Sequence, residues 1–430
     1  MIKNKVVNNA VWIIMGKVVQ SLIALVVGML TARYLGPSNY GIISYAASIV
    51  AFAVPVMTLG LSNILVQEIT NYPEEEGEIF GTSILMSLIS ALACIVGIAA
   101  YTMVVDAGEP TTNIVVILYS ILLIFQAMEL IQYWFQAKLL SKYMAIGSTT
   151  AYVIVAAYKV ILLANEASVE FFAISNSLDY LLIFVFLFYM YKKLGGAKLR
   201  ISKNIAKRMF NSSKHYIVSS LMVTIFAQTD KIMIKLMIGE SEVGYYSAAV
   251  ACASLTSFVF SAIIDSMRPS IFANKKIGNE SAYETGIART YCVVIYLAAL
   301  QSVFMAILSK VIINVLYGDS YAPAASALRI IVWYTTFSYI GSVRNIWILG
   351  ENKQKYLWIL NLGGAATNVI LNYILIPIMG INGAAVASLF TQIFTNIFMN
   401  MLVWPLKYNN VLMVKGLNPK LILDYFKARK

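Results

Sequence analysis

Seven basic side chains, Lys17, Lys159, Lys231, Lys235, Lys310, Arg329 and Arg344, stand inside stretches so apolar that a bilayer is their natural surroundings. A charge facing lipid is costly, so ionisable groups at membrane depth usually face a watery cavity or a partner, and often mark the path of a substrate or ion. Ammonium and guanidinium groups along such a path solvate an anion through charge-assisted hydrogen bonds. A chain that keeps basic groups there is suited to handling something anionic. The competing reading for each is snorkelling, in which a long stem near a helix end carries its charge to the interface.

Four carboxylates share this environment: Glu129, Asp179, Asp230 and Asp265. Asp179 and Asp230 are the candidates to bind a proton or Na⁺ that drives a transport cycle, because desolvation shifts the balance between a carboxylate and its protonated form. A structural ion pair is the alternative. Asp230 adjoins Lys231, but neighbours in a helix point about 100° apart, so adjacency alone does not pair them. No cofactor is expected beyond such a coupling ion, H⁺ or Na⁺.

The elements that must carry these groups follow from composition. Of 430 residues, 60% are hydrophobic and only 12% charged, with a mean hydropathy of +0.76; in soluble domains about a quarter are charged. The chain reads as an all-α polytopic membrane protein. Apolar runs of roughly 20 residues, the length that spans a bilayer, fall near 10–32, 42–66, 80–105, 113–134, 144–164, 170–191, 214–238, 244–265, 288–316, 324–349, 356–378 and 382–404. That predicts about twelve transmembrane helices. No signal-peptide cleavage site follows the first run, which reads as the first span.

Charge distribution orients the spans, since short cytoplasmic loops collect Lys and Arg. With both termini cytoplasmic, twenty-four of the thirty-two basic residues fall on that side, seven lie within the membrane, and only Arg33 falls outside. The acidic stretch Glu68–Glu78 sits on the basic side and is discordant. Tyr133, Trp134 and Phe135 beside Lys138 suggest an interfacial aromatic belt. By depth, Lys17, Glu129, Asp265 and Arg344 fall toward the cytoplasmic half. Asp179, Asp230 and Lys231 lie nearer the middle, and Lys159, Lys235, Lys310 and Arg329 toward the outer half.

Eight basic residues between Lys192 and Lys214 fall midway along the chain. They predict a six-helix N-terminal lobe over 1–195, a basic cytoplasmic linker over 196–213, a six-helix C-terminal lobe over 214–404 and a basic cytoplasmic tail over 405–430. An internal repeat supports the division: 35–46 overlays 238–249 at an offset of 203, with Gly36 on Gly239, Ser38 on Ser241, Gly41 on Gly244, Ser44 on Ser247 and Ala46 on Ala249. An even number of helices per half makes the lobes parallel repeats about a pseudo-two-fold along the membrane normal. A fainter correspondence, Ala173 and Ser177 on Ala384 and Ser388, runs at an offset of 211. The intramembrane charges obey neither offset.

The runs Thr31-Ala32-Arg33-Tyr34-Leu35-Gly36-Pro37-Ser38-Asn39-Tyr40-Gly41, Leu316-Tyr317-Gly318-Asp319-Ser320-Tyr321 with Ala327-Leu328-Arg329-Ile330, and the long segment from Asn368 through Asn372, Pro377 and Gly380 to Ala385 resemble the oligosaccharide (O-antigen type) flippases. These belong to the multidrug, oligosaccharidyl-lipid and polysaccharide exporter superfamily. The resemblance implies translocation of undecaprenyl-pyrophosphate-linked sugar units across the bacterial inner membrane, for O-antigen, lipopolysaccharide or capsule synthesis, by alternating access between two lobes. It implies membrane lipids and a lipid-linked oligosaccharide as partners, with polysaccharide polymerase and glycosyltransferases of the same pathway beside them. On that reading Lys17, Arg344 and Arg268 receive the pyrophosphate and Lys231 holds it near midplane. Asn361, Asn368 and Asn372 share one face of the eleventh helix by their spacing. Their amides suit sugar hydroxyls, or hydrogen bonding between helices.

The sequence also argues against other functions. No Gly-Lys-Ser/Thr phosphate loop is present, so direct use of ATP is not expected. Cys94, Cys252 and Cys292 have neither disulfide nor metal spacing, and the single His215 opens a helix, so no enzyme is expected. No soluble element could read nucleic acid. An ion-coupled multidrug exporter of the same superfamily stands as the alternative. A membrane polymerase or ligase ranks last, since it would need a large outer loop.

Overall fold

Long apolar runs with no two-residue alternation favour helices, which satisfy every backbone group internally. The chain obeys this. The computed structural model describes the backbone of residues 2–421 and the side chains of residues 12, 16 and 19–421, and among them there is no strand. The side chain of Lys17 lies outside those described residues.

Nine helices precede or reach the middle of the chain: α1 (Ile2–Met57), α2 (Leu65–Asn71), α3 (Glu76–Val105), α4 (Pro110–Ser120), α5 (Leu122–Met128), α6 (Gln132–Ala137), α7 (Ser141–Ala164), α8 (Val169–Lys193) and α9 (Lys203–Ile238). Nine more follow: α10 (Glu240–Ala253), α11 (Ser257–Lys276), α12 (Glu280–Ile307), α13 (Ser309–Tyr317), α14 (Ala324–Gly350), α15 (Leu357–Met379), α16 (Ile381–Ile393), α17 (Met399–Leu402) and α18 (Lys407–Lys415).

Among the described residues nine helical segments are long and apolar enough to span a bilayer, or ten with α10 and α11 as one span bent by 41°. Two features separate this number from the expected twelve. The first is α1, which runs through two expected spans and turns at Gly36, where φ is 72° and ψ 173°. The second is α14, which has the length of a span but is not counted among the apolar segments; it carries Arg329 and Arg344.

Gly36 has its counterpart at the position the repeat assigns: Gly239, before α10, adopts φ 115° and ψ −179°. Both take a conformation that L side chains avoid, so glycine is required by the backbone at each.

The chain forms two compact units, Met1–Gln228 and Thr229–Lys430. The division falls inside α9, beyond the start of the second lobe expected at 214, because the first part of α9 packs on the first unit. A Cβ on Gly60 would collide there with the Ser213 carbonyl oxygen, and Ser48 donates to Gln228 Oε1 at 3.1 Å.

In the first unit, Trp134 and Phe135 are not an interfacial belt. They are buried, with Trp134 edge-on to Tyr191 at 5.1 Å. The discordant acidic stretch also finds its reason here. Glu68 and Glu75 pair with Arg208 at 3.2 and 2.5 Å, and Glu76 pairs with Lys138 at 3.0 Å. The basic linker is strapped along the start of α3: Arg200 N–H donates to Gly77 O, Ala197 N–H to Glu76 and Ser202 N–H to Thr82, all within 3.2 Å.

In the second unit α14 packs against α10, α11, α12 and α16, with Trp347 fully enclosed and Tyr339 stacked on Phe260 at 4.1 Å. The described part of the tail is folded in. Tyr291 of α12 donates to Asn409 of α18 at 2.9 Å.

Candidate functional site

In the second unit, α15 stacks Asn368 and Asn372 one turn apart on its buried face, as their spacing predicts, and Asn372 donates to Asn368 Oδ1 at 3.1 Å. Asn361 does not share that burial. The two amides face Asp230 of α9, which accepts from Asn372 Nδ2 at 2.6 Å, from the Tyr246 hydroxyl of α10 at 2.5 Å and from the Ser388 hydroxyl of α16. Asn368 reaches Ser388 at 3.5 Å. Four helices thus meet on one carboxylate only 7% exposed.

Three donors on two oxygens suit an ionised carboxylate, and such charge-assisted bonds are the stronger class. One acceptor in the cluster is left over: Asn372 Oδ1 is buried without a hydrogen-bond partner. Carboxylate, amide and hydroxyl oxygens together are hard ligands of the kind that hold alkali and alkaline-earth cations. Lys231, one residue on, is half-buried and pairs with no carboxylate among the described residues.

The sequence offers Asp230 for a coupling ion or an ion pair, and Asn368 and Asn372 for sugar hydroxyls or for hydrogen bonding between helices. They form one cluster. Sequence reasoning missed Tyr246 and Ser388 as members. Ser388 carried a signal in the fainter repeat with Ser177; Tyr246 carried none beyond its place in the first repeat.

Arg344 lies elsewhere. It is 6% exposed and donates to the Thr395 carbonyl at 2.9 Å and to Asn345 at 3.2 Å, with no carboxylate partner among the described residues. Thr395 sits where α16 widens into a π-helical turn over Phe394–Phe398, a geometry that leaves carbonyls in need of donors. The packing therefore gives Arg344 a structural task. Arg268 is exposed on α11 and pairs with Asp265 at 3.2 Å, one turn away.

Asp179 belongs to the first unit, in a cavity of about 520 Å³. The helix that carries Glu129 tightens there: α5 passes at Glu129–Ile131 through a 3₁₀ turn into α6. Glu129 and Asp179 line the cavity with Gln126, Tyr119, Tyr152 and Tyr180. Asp179 Oδ1 and Gln126 Oε1 are buried without hydrogen-bond partners. Lys159 is not among the lining residues; it donates to Asn176 Oδ1 at 3.4 Å. A second cavity, also about 520 Å³, is bounded by α1 and α9 and shares Gln126, Glu129 and Gln132 with the first.

These features sit on a chain whose residues 6–275 match the family described as polysaccharide biosynthesis protein. The chain belongs to that family. Among curated relatives, it is 27% identical over 242 residues to the uncharacterized membrane protein MJ1068 of Methanocaldococcus jannaschii, across 54% of this chain and 45% of the relative. It is 23% identical over 183 residues to the probable low-salt glycan biosynthesis flippase Agl15 of Haloferax volcanii, across 43% of this chain and 39% of the relative. The matched region thus spans less than half the length of each.

Solved structures extend the likeness to nearly the whole chain. The lipid II flippase MurJ in an inward closed conformation superposes with a TM-score of 0.71 at 14% identity, covering 98% of this chain and 93% of that one. An inward-facing multidrug resistance MATE family transporter of the MOP superfamily gives 0.67 at 16%, covering 90% and 96%. This polysaccharide biosynthesis family member therefore has the MOP transporter fold and is a multi-pass membrane protein.

Proposed function

We propose that the chain is a flippase for lipid-linked oligosaccharide, moving a polyprenyl-diphosphate-linked sugar unit across the membrane in which polysaccharide is assembled. In the bacterial case the carrier is undecaprenyl pyrophosphate and the membrane the inner one, with both termini cytoplasmic. The observation that carries this reading is the family match across residues 6–275, on a chain with the fold of an alternating-access transporter.

The diphosphate carries about two negative charges that need solvation throughout passage. Lys17, Lys231 and Arg268 are the groups suited to that, with Arg344 reassigned to holding its helix. The cluster around Asp230 serves as the coupling-ion site: Na⁺ would take oxygens from Asp230, Asn372 and Ser388, and a proton would neutralise the carboxylate instead. Either event breaks hydrogen bonds that tie α9 to α15 and α16, which couples ion binding to helix position.

One observation favours a second reading, an ion-coupled exporter of cationic compounds. The Asp179 cavity of the first unit presents two carboxyl groups and, among the described residues, no basic side chain.

Proteoliposomes containing the full chain and fluorescent lipid-linked oligosaccharide separate the two. Gradient-dependent protection of the sugar from an external glycosidase is the expected result. Efflux of ethidium with no movement of the sugar lipid overturns the flippase reading in favour of the exporter.

A further inference from the structure

The carboxylate cavity of the first unit is unlike a site for hydrophobic cations or for a bare ion. Small-molecule sites are mostly apolar with a few placed polar groups. Here the placed polar groups are many: besides Glu129, Asp179 and Gln126, the lining includes Gln20, Ser148 and Asn176. A cavity of about 520 Å³ falls within the range of roughly 300–1,000 Å³ typical of organic ligands, far more space than one cation needs. It is roomy enough for a sugar ring.

The hydrogen-bonding inventory is also specific. Asp179 Oδ1 and Gln126 Oε1 are acceptors with no donor, and the carboxyl group of Glu129 makes no hydrogen bond or ion pair among the described residues. Carboxylates can only accept, and hydroxyls both donate and accept, so the complementary ligand is rich in hydroxyl donors and carries no negative charge. Tyr119, Tyr152 and Tyr180 add rings of the kind that lie against the apolar faces of sugars. Among the described residues that line it none is basic, so the cavity offers a diphosphate no counter-charge, and it and the basic groups divide the substrate between them.

We propose that the cavity lined by Asp179, Glu129 and the three tyrosines is a saccharide subsite for neutral sugar residues of the transported unit, reached from the adjoining cavity past Glu129. The proposal rests on the flippase reading and assigns a place to the sugar, as distinct from its diphosphate. The tightened 3₁₀ turn at Glu129–Ile131 supplies the means, since such a stretch inside a helix often marks a functional site, and it puts Glu129 between the two cavities.

The test uses the full chain in nanodiscs and, as probe, the free oligosaccharide released by mild acid from the lipid-linked pool of the source cells. Saturation-transfer NMR is expected to detect contact with sugar ring protons in the wild type. The signal should fall about fivefold in Asp179→Asn, in keeping with loss of one ordinary hydrogen bond, and vanish in Ser148→Phe, which fills the space. Glu284→Gln, in the other unit, should leave it unchanged. Asp179→Asn is isosteric, so it remains informative if Ser148→Phe does not fold. Absence of a wild-type signal, or equal signals in wild type and Asp179→Asn, overturns the subsite. So does binding of ²³Na⁺ that Asp179→Asn abolishes while the sugar signal stays intact. Transport of the lipid-linked pool in the proteoliposome assay separates the outcomes: transport without sugar contact sinks the subsite alone, and contact without transport sinks the flippase reading.

Discussion

Asn372 donates to Asp230 across 2.6 Å, joining α15 to α9 at a point where both side chains are withdrawn from solvent. Neither residue can be changed without consequence for the other. Asn372→Ala removes a donor and leaves a buried carboxylate short of one bond, which costs about 1–3 kcal/mol. Thermal unfolding of the detergent-solubilised chain should register that loss. The double variant Asp230→Asn/Asn372→Ala should be less unstable than the two single effects added together, by about 0.5–3 kcal/mol, as contacting pairs usually are. Strict additivity would mean the two are energetically independent.

Sodium should stabilise the wild type and fail to stabilise Asp230→Asn, if the cluster binds the coupling ion. Mass action gives about 2.7 kcal/mol at a ligand concentration one hundred times the dissociation constant. The comparison is the melting temperature in sodium against that in choline at equal ionic strength. A sodium-insensitive wild type whose transport follows the pH gradient assigns the site to the proton instead.

Arg344 and Arg268 should part company. Arg344→Lys loses the planar fork that meets Thr395 and Asn345, and the two side chains are not interchangeable at such sites; a stability loss of about 1–3 kcal/mol is expected. Transport per folded molecule should be kept. Arg268→Gln removes an exposed pair and should change stability by no more than about 0.5 kcal/mol, while lowering transport of the diphosphate-bearing lipid. Unfolding curves and flipping rates on the same preparations decide it.

How much of this was readable beforehand depends on whether a residue's partner is local. Asn368 and Asn372 share a face because helix geometry fixes residues four apart, and Gly36 and Gly239 stand out because a repeat marks both. Arg344 was misread. In the sequence, a base in an apolar run looks the same whether it lines a cavity or serves the carbonyls of a widened turn fifty residues away. Tyr246 and Ser388 were missed for a related reason, since only the packing of four helices brings them to Asp230. The acidic stretch 68–78 looked discordant because its counter-charges, Lys138 and Arg208, are far along the chain. Trp134 and Phe135 were misplaced because an aromatic run beside a lysine suits a membrane interface as well as a protein interior.

The strapped linker makes a proteolytic prediction. A Cβ on Gly81 would collide with the Arg200 backbone, and one on Gly77 with the Lys198 carbonyl oxygen. Backbone atoms held by the Arg200–Gly77 and Ser202–Thr82 hydrogen bonds cannot yield as a flexible side-chain tip would. Gly81→Ala should therefore lift the linker from α3 and open the trypsin sites after Lys198 and Arg200. Limited digestion followed by mass spectrometry is expected to give cleavage there several-fold faster than in the wild type, since local opening governs cutting when reclosing is fast. Unchanged cleavage would mean the linker is already open in solution.

Gly36 and Gly239 allow the repeat to be tested energetically. Nothing lies within 4 Å of a Cβ built at Gly36, and at Gly239 only Glu242 Oε2 approaches, at 3.3 Å. Any cost of alanine at either site is therefore conformational, with almost no steric part. A non-glycine residue held in these regions costs of order 1–3 kcal/mol. Gly36→Ala and Gly239→Ala should each destabilise by about that amount. The two penalties should be alike, since both glycines combine a positive φ with ψ near 180°, a region essentially reserved for glycine. Gly97→Ala, inside α3 with open space around it, is the control: there alanine should be neutral or stabilising by about 0.5–1 kcal/mol. Equal behaviour of all three variants in unfolding experiments would remove the backbone argument for the matched turns.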